Sequence, residues 1–159
     1  MDRGLYGQAI FFLTPEKGWL LVGGQPSAGN QPKELFSTTD GGMTWTHLSG
    51  SLSRPLSGGE GELGTAGYIG TLIFTSDQEG WLALAHVALM HTTDGGKHWT
   101  ASLSAAEDRG DPSTAVHFVD ARRGWTMTDY YLPTKRQTLW TTSDGGAIWQ
   151  ELSLPTAEP

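Results

Sequence analysis

Cysteine is absent from the 159 residues, which excludes a disulfide scaffold and any thiolate metal site but leaves the compartment open. Long apolar runs are missing as well. The longest mostly apolar stretch, Trp81 to Met90, is ten residues and contains His86, too short to cross a bilayer as a helix. Basic residues are scarce, with 10 Lys and Arg against 17 Asp and Glu and a net charge of −7. A chain of that sign offers no phosphate-binding surface, so nucleic acid is not an expected partner. The opening Met1-Asp2-Arg3-Gly4 lacks the apolar core of a signal peptide. No window of helical length carries a clean 3.6-residue apolar period, so helix should be nearly absent.

What the chain has in quantity is glycine (22) and tryptophan (7), and both follow a repeat. An eight-residue box, Thr-x-Asp-Gly-Gly-x-x-Trp, occurs at Thr38 to Trp45, Thr92 to Trp99 and Thr142 to Trp149, with the tryptophans 54 and 50 residues apart. A period of that length marks an array of supersecondary units, each too small to bury its apolar face alone. The box has the chemistry of a turn. Asp40, Asp94 and Asp144 can accept hydrogen bonds from the amides that follow them. The glycine pairs ending in Gly42, Gly96 and Gly146 supply positive φ. Thr38, Thr92 and Thr142 add a second local hydrogen bond, and Trp45, Trp99 and Trp149 close over the turn.

Two further landmarks recur. Phe12, Phe74 and Phe118 each lie six residues before a Gly-Trp pair, at Gly18-Trp19, Gly80-Trp81 and Gly124-Trp125. A β-rich run leads into each box from Leu35, Leu89 and Leu139. Each unit therefore reads as four short strands, A to D: A ends near the Phe, B starts at Gly-Trp, C enters the box and D leaves it. Four antiparallel strands per repeat of this length describe a β-propeller blade.

The boxes resemble the Asp-box, or BNR, repeats of sialidases, sortilin-type receptors and many secreted bacterial proteins. Combined with the Gly-Trp pair, the pattern is similar to the photosystem II assembly and stability factor family and its bacterial relatives outside photosynthesis. The resemblance implies an all-β fold of three four-stranded blades and an accessory, non-enzymatic role. Blade 1 is expected over 8–51, blade 2 over 68–103 and blade 3 over 113–154, with 52–67 and 104–112 as inter-blade loops. A usual propeller has four to eight blades. Three leave two readings: part of a longer propeller, or half of a six-bladed ring made by two copies.

Antiparallel strand order puts the A–B turns and the boxes on one face, and the B–C and D–A connections on the other. The second face varies in length (23–33, 50–68, 104–113, 128–137), and variable loops on a rigid scaffold are where binding sites usually sit. It carries Arg54, Tyr68, Arg109, Asp129, Tyr130, Tyr131, Lys135 and Arg136. Tyr and Arg are favoured interface anchors, so the expected function is a protein-binding or assembly scaffold. The 50–68 connection, long and rich in glycine, is expected to be mobile or to order on a partner. The alternative is a sialidase-like glycoside hydrolase or a carbohydrate-binding propeller. Sialidases hold a substrate carboxylate with three arginines, yet their Arg-Ile-Pro signature is missing here.

Neither metal nor cofactor is expected. Each box offers one carboxylate, whereas a calcium loop needs several oxygens at alternate positions. The five histidines show no ligand spacing. Seven tryptophans with 22 glycines and little charge match the composition of exported all-β domains, so an extracytoplasmic location is expected.

Overall fold

The structure, a computed structural model, describes residues 4–51, 63–104, 111–129 and 138–153. Twelve strands form three separate four-stranded antiparallel sheets. The first holds β1 (Tyr6–Phe12), β2 (Gly18–Gly23), β3 (Lys33–Thr38) and β4 (Thr46–Gly50) in chain order. The second holds β5 (Tyr68–Phe74), β6 (Gly80–Ala85), β7 (Ala88–Thr92) and β8 (Thr100–Ser104). The third holds β9 (Asp111–Phe118), β10 (Gly124–Asp129), β11 (Thr138–Thr142) and β12 (Gln150–Leu152). The chain is all-β, and its sheets are propeller blades.

The landmarks set the strand limits. Strand A ends at Phe12, Phe74 and Phe118, and strand B begins at Gly18, Gly80 and Gly124. Each of these glycines pairs with the phenylalanine before it, and a Cβ there would sit within 3 Å of that ring. Strand C ends on the box threonine, and strand D begins one residue after the box tryptophan. In the first two blades strand D carries a bulge. Leu35 pairs with Ser49 and Phe36 with His47, which leaves Leu48 unpaired. Leu89 pairs with Leu103 and Met90 with Ala101, which leaves Ser102 unpaired.

The core lies between blades. Trp19, Leu21 and Leu35 of blade 1 pack with Leu72, Phe74, Leu82 and Trp99 of blade 2. Trp81, Ala83 and Leu89 of blade 2 pack with Val116, Phe118 and Trp140 of blade 3. At each junction a Gly-Trp indole stacks on the phenylalanine that ends strand A of the next blade. Trp19 lies on Phe74 at 3.7 Å between centroids and 4° between planes. Trp81 lies on Phe118 at 3.9 Å and 23°. The box tryptophan meets the phenylalanine of its own blade edge-on, as in Phe74–Trp99 and Phe118–Trp149. Rings of this size bury roughly 200 Å² each, so these stacks carry much of the inter-blade adhesion.

Candidate functional site

The two ends of the blades differ in kind. On one end, box and A–B turn are locked together. The amides of Gly41, Gly95 and Gly145 donate to the carbonyls of Glu16, Gln78 and Arg122. Within each box the threonine hydroxyl donates to the Asp at 2.8 or 2.9 Å and accepts the amide of the second glycine at 2.9 Å. The same Asp accepts the amide four residues on, at Thr44, His98 and Ile148. At Asp40 the Thr44 hydroxyl and amide and the Thr38 hydroxyl hold the carboxyl down at about 2. At Asp94 burial pushes it up, but the His98 amide and ring, the Thr92 hydroxyl and the Lys97 amide together bring it to about 2. These carboxylates spend their oxygens on their own turns. Among the described residues, no cluster of three or more His, Asp and Glu could hold a metal ion.

The other end carries the variable connections, and there blades 1 and 2 are knitted into one surface. Between β2 and β3 the chain makes a small loop in which Ser27 and Asn30 bridge each other, with Ala28 and Gly29 at positive φ. Asn30 also bridges Ala66. The Gln31 amide donates to Thr65 and the Gly67 amide to Gly29. The Gln31 side chain, 2% exposed, joins Gly24 to Ile69 by donating to one and accepting from the other. Leu63 is buried in the core beneath.

Lys33 fixes this surface from below. Its side chain is fully buried, and Nζ donates into the carbonyls of Gly64, Thr65, Ala66 and Gly67 at 3.0–3.3 Å. Burial pulls its pKa down from 10.5 to about 8. Residues 63–67 are thus hydrogen-bonded to blade 1. Residues 52–62 lie outside the described part.

Of the predicted loop residues, Tyr68 is placed in full. It opens β5, its hydroxyl accepts the Gly29 amide at 2.9 Å, and its ring stands edge-on to His86 at 5.4 Å. His86 has φ 69° in the two-residue turn between β6 and β7. Asp129 is the last residue of β10, with its backbone paired to Asp111. Arg54, Arg109, Tyr130, Tyr131, Lys135 and Arg136 lie outside the described residues.

No protein-family model matches the chain. No curated protein matches it either. Solved structures do match, among them two propellers. One is YCF48 bound to a D1 peptide, 21% identical with a TM-score of 0.59, over 96% of this chain and 41% of that one. The other is YCF48 from Cyanidioschyzon merolae, 21% identical with a TM-score of 0.58, over 96% and 38%. The chain therefore spans about two fifths of the length of the structures it matches. At this identity the likeness shows the fold.

Three histidine–carboxylate pairs were not read from the sequence. His47 meets Glu34, His91 meets Glu79 and His98 meets Asp94, each at 2.6 Å. His91 also stacks on the outer side of Trp81 at 4.7 Å, so that Trp81 lies between His91 and Phe118. The His98 pair is visible in principle, since both groups belong to one box. The other two depend on strand register, and their spacings of 13 and 12 residues carry no signal of their own.

Proposed function

We propose that this chain is a non-catalytic, protein-binding scaffold that recognises an extended segment of a partner through its variable-connection face. The observation that carries this reading is the Lys33–Gln31–Tyr68 network. It holds connections from two blades as one pre-formed surface, and a pre-formed surface lowers the ordering cost of binding. The bound peptide of the YCF48 neighbour and the resemblance to photosystem assembly factors both support a protein partner. Arg54, Arg109, Asp129, Tyr130, Tyr131, Lys135 and Arg136 would extend the surface across all three blades. An extracytoplasmic location suits the composition.

Selection from a displayed random-peptide library, with a glycan array in parallel, tests this reading. The expected result is a peptide whose capture is lost when Tyr130, Tyr131 and Arg136 are changed together to Ala, with the circular dichroism spectrum unchanged. Glycan capture with no peptide capture would overturn it in favour of a carbohydrate-binding propeller. Turnover of fluorogenic sialosides, abolished by changing Arg54, Arg109 or Arg136, would show a hydrolase instead.

A further inference from the structure

A blade does not require Lys33: at the same place, five residues before the box threonine, blade 2 has Val87. Burying a cation is costly, and burial pulls its pKa down to about 8, so it is still an ammonium at pH 7. A neutral donor could fasten a connection at lower cost, as the Gln31 side chain does at Gly24. What the ammonium adds to fastening is charge.

That charge has a path outward through the main chain. No peptide bond among the described residues is cis, so each N–H points opposite to the carbonyl of the residue before it. The carbonyls of Gly64, Thr65 and Ala66 point at Nζ, so the amides of Thr65, Ala66 and Gly67 point away from it. Gly67 spends its amide on the Gly29 carbonyl. The amides of Thr65 and Ala66 meet no acceptor among the described residues, and both residues are exposed. Two adjacent peptide dipoles thus have their negative ends on a buried cation and their positive ends at the surface. Oriented amides of this kind attract anions, here on a chain whose net charge is −7.

We propose that the outward amides of Thr65 and Ala66, backed by the Lys33 ammonium, hold a carboxylate of the partner segment. This rests on the protein-binding reading above and gives one contact its chemistry. Two adjacent N–H donors match the two oxygens of a carboxylate, and charge-assisted hydrogen bonds are the stronger kind. A carboxylate is also the anion that an unmodified polypeptide carries. The donors are set before the anion arrives. Lys33 holds them from below, and Gly67 seats the segment on the β6–β7 turn, where a Cβ would lie 2.9 Å from the Ala85 carbonyl oxygen and Val87 Cγ2. Such preorganisation lowers the cost of binding.

Titration of the wild-type chain with sodium acetate, against sodium chloride at the same ionic strength, tests the site by proton–nitrogen correlation spectroscopy. The expected result is a saturable shift of the Thr65 and Ala66 amides in the millimolar range. Gly95, whose amide is bonded to Gln78, should not move. Inorganic phosphate in a parallel titration separates the two anions. No saturable shift of either amide, or a shift with phosphate and none with acetate, would overturn the proposal. A peptide captured by the wild type carries the test to the partner. Changing its acidic residues singly, Glu to Gln or Asp to Asn, should weaken capture about 10-fold at one position. Ala66→Pro removes one N–H and leaves Lys33 in place, and it should erase that difference. If this variant does not fold, the wild-type titration still decides. Capture indifferent to every acidic residue would overturn the carboxylate contact and leave the protein-binding reading standing. An acetate site on a chain that captures no peptide would overturn that reading and, with it, the assignment of the carboxylate to a partner.

Discussion

In the second box Asp94 accepts hydrogen bonds from the amides of Lys97 and His98 and from the Thr92 hydroxyl, and its carboxyl titrates at about 2. Asp40 and Asp120 share that value. A folded pKa below the unfolded 3.8 means the unfolded chain takes up protons first as pH falls. The stabilisation is complete above about pH 4 and is lost as pH falls through 2. The urea midpoint should decline steadily from pH 4 to pH 2, and Asp94→Asn should start lower and show a shallower decline. An acid limb identical in the variant would remove the box from the account. Lys33 makes a different residue-scale prediction. Its ammonium serves four carbonyls in a fully buried place, and Lys33→Met fills the space without a donor. Of the four acceptors only that of Gly67 belongs to a buried residue, and a buried carbonyl left unpaired costs about 1–3 kcal/mol. The effect should appear in the urea midpoint and as faster proteolysis within 63–67.

At the scale of the element, the two tryptophans at inter-blade junctions give a controlled comparison. Trp19 Nε1 donates to the Gly95 carbonyl, while Trp81 Nε1 is buried without an acceptor among the described residues. Both change to Phe with the same loss of ring volume. Trp19→Phe also strands a carbonyl, so it should cost about 1–2 kcal/mol more than Trp81→Phe by chemical denaturation. Equal costs would show that the Gly95 bond adds nothing net. The sequence made these elements legible because turn chemistry and pattern are local. Phe12, Gly18, Thr38 and their equivalents mark strand ends through residues only a few positions away. What it did not show depends on register or on distant chain. The bulges at Leu48 and Ser102 set where strand D meets the next box, and nothing in those residue types announces an unpaired position. Nothing in the sequence singles out Lys33, because its acceptors lie 31 to 34 residues away. On the variable face Tyr68 was legible as a loop-edge aromatic, but its hydroxyl serves a blade 1 glycine, a partner that only the packing of two blades supplies.

For the whole molecule, stability depends on the junctions between blades. Phe74→Ala removes a ring packed between Trp19, Phe11 and Trp99 and should cost about 3–5 kcal/mol. Phe12→Ala removes a ring that is 38% exposed and meets Trp45 of its own blade edge-on, and its cost should be a small fraction of that. Urea denaturation of both variants checks the comparison, and equal losses would mean that the stack between blades adds nothing beyond the contacts of the ring within its own blade.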